Sequence, residues 1–436
     1  MTERRARLAE STIDAAQSEP DFSLVLGGPL FQLLRRAHLS DDALTLVRKR
    51  VAVFVLVAWL PLLVISLLQG KATKGTVAVP FMLDLELHVR FLVALPLLVI
   101  AELVVHRRMR PVVQLFRERN IVPEAELLRF RSIVESAVRL RNSVVAEVLL
   151  LAIVYGLGVQ VLWRHYIALN TQTWYATPST DGPVLSAAGI WYGYVSLPIF
   201  QFLLCRWYFR VFIWARFLYQ ASRLDLRLVP THPDRLGGLG FLANTVYAFA
   251  PLSAAHGALL AGPFANRIFY MGAQVTQFRM EAVALVAVVL CMVFGPLLVF
   301  VPQLAEARRR GLREYGTLAE RYARAFDQKW LRGGAPPDEQ LLGTGDIQSL
   351  ADLGNSLEVI RSMRAVPITK EAVFQLGIVN VCADAAAAPH RHAAGRAREE
   401  AVRTAVLAGA GQGLPRGPTN VSVTATGPEP HLAVAN

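Results

Sequence analysis

Uncharged apolar runs alternate along this chain with clusters of arginine, and the runs have the length that a lipid bilayer demands. Val51 to Leu68 carries no charge and follows Arg48, Lys49 and Arg50. About 20 apolar residues cross a hydrocarbon core, so a first span is predicted near 51–68. A second is predicted near 88–105, containing Glu102 and ending in His106, Arg107, Arg108 and Arg110. The third (143–163) holds Glu147 about one turn inside, and the fourth (184–205) is interrupted by Pro198 and lined by Trp191, Tyr192 and Tyr194. The fifth (238–265) contains His256, and the sixth (282–304) contains Pro296 and Pro302 before leaving into Arg308, Arg309, Arg310 and Arg313. The predicted class is therefore all-α: a polytopic transmembrane helical bundle of about six spans, carrying cytoplasmic amphipathic helices.

Between and beyond the spans the period changes. Residues 111–142 set Leu127, Phe130, Ile133, Val134 and Val138 among charged positions at helical spacing, which predicts an amphipathic cytoplasmic helix feeding the third span. Residues 1–47 read as a cytoplasmic N-terminal segment, in which Pro29 to Arg36 is either a surface amphipathic helix or an arm packed on the bundle. The mixture Arg206, Trp207, Tyr208, Phe209, Arg210, continuing to Tyr219, reads as an interfacial collar whose guanidinium groups reach for phosphate. Residues 306–378 read as a cytoplasmic helical extension, with Asp346 suited to capping a helix whose apolar stripe runs from Ile347 to Met363. Past residue 378 the character changes: from Val381 to Asn436 there is no Phe, Tyr, Trp, Ile, Met or Lys. The segment 379–436 reads either as a disordered tail or as translation out of frame.

Composition sharpens this picture. Hydrophobic residues make up 54% of the 436, above what soluble domains carry, and the formal charge is +12. Because the arginines sit beside apolar spans, that charge points to membrane orientation and anionic phospholipids rather than to nucleic acid. Residues 1–50, 106–142, 206–236 and 305–332 hold eight, nine, six and eight Lys or Arg, against six in the three opposite loops together. The bias places both ends of the six-span core in the cytoplasm. The polar first twenty residues predict no cleavable leader. Cys205, Cys291 and Cys382 are too scattered for a disulfide framework or a zinc site, and no cofactor or metal is expected. The expected partner is the bilayer itself, with a homo-oligomer left open.

Chemistry concentrates in few places. In Val229 to Leu242, Pro230 and Pro233 fix backbone angles, while Gly237, Gly238 and Gly240 permit tight turning. A helix opening there offers free N–H groups, and with His232 and Arg235 beside them a phosphate on a lipid or nucleotide would fit. The alternative is a turn into the membrane in which Asp234 caps the fifth helix or pairs with an arginine of the fourth. Glu102 and Glu147 are acidic residues inside spans, which mark either an ion path or pairing with a nearby arginine. His256 reads as a core histidine or a ligand. His232 and Asp234 lie two apart and lack a nucleophile, so no catalytic residue is assigned.

The run Pro230-Thr231-His232-Pro233-Asp234-Arg235, with Gly237-Gly238-Leu239-Gly240-Phe241 and the downstream Asp346-Ile347-Gln348-Ser349-Leu350-Ala351-Asp352-Leu353, resembles an uncharacterised family of bacterial multi-span inner-membrane proteins. The likeness covers roughly residues 20–378. It implies a bacterial inner-membrane location and a further apolar segment near the C-terminus, from which this chain departs, and it brings no activity with it. Three functions stay open: permeation of an ion or small solute, with Glu102 and Glu147 near the inner mouth and the loop 232–240 shaping the entrance; a membrane-anchored signalling or scaffold protein binding a partner or anionic lipid; and a lipid-modifying enzyme.

Overall fold

A computed structural model describes residues 22–39, 46–73, 75–163, 172–179, 183–341, 343–369 and 371–375; the tail 379–436 lies outside them. A strap from Phe22 leads into α1 (Pro29–Arg36), and α2 (Val47–Leu68) and α3 (Leu85–Glu118) follow. Next come α4 (Leu127–Arg141) and α5 (Val144–Ile153), the latter continuing in wider turns over Val154–Trp163. The chain then forms α6 (Ala187–Ala221), α7 (Gly240–Ile268), α8 (Thr276–Leu331) and α9 (Asp346–Arg361). Five of these helices are long and apolar enough to cross a membrane, or six if the pair joined at a 46° bend before α5 counts as one span. The protein is an all-α polytopic membrane bundle. Strands β1 (Ala176–Thr177) and β2 (Val184–Leu185) pair antiparallel, with Ala176 opposite Leu185, in the connection before α6.

Burial separates the spans by role. In α7, 61% of the membrane-crossing window is inside the protein, against 17% in α2. The apolar side chains of α2 therefore face lipid, whereas α7 packs against α3 at the centre. Tryptophan and serine fasten the interior: Trp207 Nε1 donates to the Leu98 carbonyl (2.9 Å) and Ser196 Oγ to the Ala58 carbonyl (2.7 Å). At the arginine-rich end, hereafter the basic end, Phe116 meets Phe130, Phe217, Phe241 and Phe300 at centroid distances of 5.1–6.5 Å, so α3, α4, α6, α7 and α8 converge on one ring.

Prolines explain where the helices change pitch. Proline lacks an N–H and its ring collides with the carbonyl four residues back, and the preceding turn widens or tightens to relieve both. Pro96 follows the π-helical stretch Val89–Ala94, and Pro198 follows Tyr192–Ser196. Pro251 follows the tight turns Asn244–Phe249.

The structure divides what the pattern predicted as one amphipathic helix over 111–142. Residues through Glu118 prolong α3 past Pro111, and a new helix starts at Leu127. The division is a Schellman ending: Asn120 is left-handed (φ 51°), its N–H bonds the Arg117 carbonyl (2.8 Å), and the Ile121 N–H reaches back to Phe116 (3.1 Å). The predicted fourth span also starts later, because Val184 and Leu185 are strand and Ser186 Oγ caps α6 on the Gly189 N–H (3.0 Å). The predicted sixth span belongs to a longer helix, since α8 runs 56 residues, tightening at Gly295–Phe300 and widening at Asp327–Leu331.

Candidate functional site

The loop between α6 and α7 is folded around its own carboxylate. Asp234 Oδ1 accepts from the N–H groups of Leu236 (2.8 Å) and Gly238 (3.2 Å), Oδ2 accepts from Gly240 (2.8 Å), and His232 Nδ1 lies 2.9 Å from Oδ1. Arg235, Gly237 and Gly238 all take positive φ, which turns successive N–H groups toward one point. A side chain at Gly240 has no room, since its Cβ would stand 2.8 Å from Asp234 Oδ2. Burial opposes ionisation of Asp234, but the three N–H donors and His232 outweigh it and hold the carboxyl below its usual range. The donors that an incoming phosphate would use are thus engaged within the loop.

The same loop ties the basic end together. The Arg235 carbonyl accepts from Arg364 N–H (2.8 Å), and the Arg227 N–H bonds the Ile121 carbonyl (2.8 Å). Gln303 Nε2 of α8 bonds the carbonyls of Ser222 (2.8 Å) and Leu224 (2.9 Å). Gly311 of α8 lies so close that a Cβ there would meet Pro230 at 2.6 Å.

Glu102 and Glu147 belong to a second assembly, buried between helices. Arg210 Nη1 stands 2.8 Å from Glu102 Oε1, Arg206 Nη1 stands 3.6 Å from the same oxygen, and Arg50 pairs with Glu102 Oε2. Arg206 Nε also reaches Glu147 Oε1 at 3.2 Å, so one guanidinium joins both carboxylates. All five side chains are at most 9% exposed. Helical spacing makes the set: Arg206 and Arg210 are four apart on one face of α6, and Arg50 reaches Glu102 from the first turn of α2. Glu147 sits in the first turn of α5 and also accepts the Leu30 N–H of α1 (2.8 Å), so it stands at two helix N-termini.

Among the described residues, three guanidinium groups face two carboxylates in this cluster. Arg210 stacks over the Trp207 ring (4.9 Å), and its Nη2 is buried without a hydrogen-bond partner among the described residues. The sequence pattern placed Arg206 and Arg210 at the lipid headgroups; in the structure they point inward. The signal that was available is their spacing of four on a helix otherwise apolar at the depth of Glu102. Arg216, farther along α6, bonds Ser136 Oγ (3.0 Å) instead.

The strap closes this cluster on the basic side. Gly27 offers its carbonyl to Arg206 Nη2 (3.2 Å), Gly28 N–H bonds Asn142 Oδ1 (3.1 Å), Ser23 Oγ lies 2.9 Å from His106 Nδ1, and Arg141 donates to the Ser23 carbonyl. Phe22, Leu24 and Val25 are buried.

His256 is placed elsewhere. Its Nε2 meets Tyr208 Oη (2.9 Å) and its Nδ1 the Leu252 carbonyl (2.8 Å), so both ring nitrogens are engaged away from the five charges. At the opposite end of the bundle, Asp84 accepts from Trp174 Nε1 (3.0 Å), Asn266 Nδ2 (3.0 Å) and Leu87 N–H (3.2 Å), and Arg90 bridges Glu86 and Tyr192. This polar knot was not anticipated from sequence, because its members come from loops and three separate helices. Among the described residues no three His, Cys, Asp or Glu side chains gather as metal ligands. Comparison with known proteins yields no match to a family model, a curated protein or a solved structure.

Proposed function

We propose that this integral membrane protein passes a small anion across a bacterial inner membrane, and that Arg50, Arg206 and Arg210 are its charge-selecting element. The observation that carries the reading is Arg210 Nη2, buried without a partner in a cluster where, among the described residues, guanidinium groups outnumber carboxylates. Charged groups at membrane depth are costly and are kept where a pathway or a partner uses them. With both carboxylates neutralised, a cation meets net repulsion, whereas a monovalent anion about 4 Å from the unbalanced charge gains about 4 kcal/mol at an effective dielectric near 20. Glu102 and Glu147 then hold the arginines in place rather than carrying protons. The loop 232–240 frames the entrance on the cytoplasmic side, and anionic phospholipids attract the surrounding arginines by about 1 kcal/mol each. Membership of a family of bacterial multi-span proteins is part of the same proposal.

The test is flux into vesicles of phosphatidylethanolamine and phosphatidylglycerol. Wild-type protein is expected to pass chloride or nitrate faster than potassium, and Arg210→Gln to cut anion flux about tenfold while remaining monodisperse in detergent. A second reading, an anchored scaffold, is favoured by the length of α8. Its 56 residues extend roughly 84 Å, against a hydrocarbon core of about 30 Å, and the distal part exposes Leu318 and Leu331. Wild-type vesicles no more permeable to anions than bare lipid would overturn the first reading in favour of the second.

A further inference from the structure

Resting on the reading of the cluster as an anion site, we infer that the strap Phe22–Gly28 is a latch over that site which the arriving anion itself releases. The argument is one of shared donors. Arg206 Nη2 is occupied by the Gly27 carbonyl (3.2 Å), a neutral acceptor. Anionic acceptors form hydrogen bonds roughly twice as strong as neutral ones, so an anion at Arg206 displaces that carbonyl. Glu147 is shared in the same way: Oε1 pairs with Arg206 (3.2 Å), while Oε2 accepts the Leu30 N–H just beyond the strap (2.8 Å). Disturbing the Arg206–Glu147 pair therefore reaches the strap at Gly27 and the start of α1 at Leu30.

The strap is also built to lie flat. Gly27 and Gly28 have φ of 134° and 88°, and a Cβ on them would stand 2.2 Å from Asn142 Oδ1 and 2.8 Å from Glu147 Oε1. Only backbone fits between the strap and the charges. Its return is ensured by apolar anchors, since Phe22 packs on Phe217 at 5.1 Å and Leu24 and Val25 are buried. Two states thus compete for one guanidinium, and by linkage an anion that binds only the released state must favour release.

The experiment places one thiol on the strap, Leu24→Cys, in full-length protein carrying Cys205→Ser, Cys291→Ala and Cys382→Ser. Maleimide labelling is followed in detergent micelles as chloride, nitrate or phosphate replaces gluconate at constant ionic strength. The expected result is slow labelling in gluconate that rises at least tenfold and saturates with anion, together with fast, anion-independent labelling when Gly28→Ala is added. Labelling that stays slow and flat across all anions, and in Gly28→Ala, would overturn the latch. The two inferences fail separately: anion flux without strap release leaves the permeation reading standing, and strap release without flux leaves a latched anion sensor.

Discussion

The loop from Val229 to Gly240 and the five-charge cluster both hold carboxylates near the basic end, yet they partner them in opposite ways. Asp234 finds its donors within six residues of itself, as the backbone N–H groups of Leu236, Gly238 and Gly240, with His232 alongside. Glu102 and Glu147 find theirs on residues as distant as Arg50, Arg206 and Arg210, all of them full charges. A local site of neutral dipoles is complete once its loop is folded, and damage to it stays local. A distributed site of full charges requires four separate segments to arrive together, so one missing member leaves the others buried and unbalanced.

That contrast predicts a ranking. Glu102→Gln should have the largest effect, because among the described residues it leaves three guanidinium groups facing Glu147 alone. Loss of one partner from a buried pair costs about 3–5 kcal/mol, to be read as a lowered midpoint of denaturation in detergent. Should Glu102→Gln prove neutral, the cluster would be solvated rather than dry, and the contrast with the loop would fail. Asp234→Ala should come next, at about 1–3 kcal/mol for stranded N–H donors, with a smaller loss of anion flux per folded molecule than Arg210→Gln; a flux defect as large as that of Arg210→Gln would join the two regions into one functional unit.

The smallest expected effect is in pH. In the folded protein Asp234 titrates below its ordinary value of 3.8, so its contribution is fully present above that value. It fades as pH falls through the lower folded pKa, because the unfolded chain takes up the proton first. The acid limb of the stability curve should therefore be shallower in Asp234→Asn than in wild type, and an unchanged limb would mean that the loop donors do not favour the ionised form.

How much of this could be read from the chain follows the same division. Val51–Leu68 declares itself as a span because every residue in it answers to lipid, and the basic flanks mark one end of the bundle. The loop was legible as a special place, since prolines and glycines around His232 and Asp234 are local signals. One of two readings had Asp234 cap the fifth helix or pair with an arginine of the fourth; its bonds to the Leu236 and Gly238 N–H groups were not legible, because they depend on the positive φ angles at Arg235, Gly237 and Gly238. Glu102 and Glu147 stood out by their cost in a span, but their partners did not, because Arg206 carries the same local pattern whether it faces headgroups or the interior. The break at Asn120 was written in Asn120 and Pro123, yet the apolar spacing ran on across it and concealed it.

The long course of α8 has a mechanical meaning as well. From Gln303, where its side chain grips the carbonyls of Ser222 and Leu224, to Leu331 it extends about 42 Å. Pivoting by about 5° at that grip would carry the tip through about 4 Å at this length. Small rearrangements beside the bilayer would thereby be magnified into a displacement of α9 and the tip, readable far from the lipid.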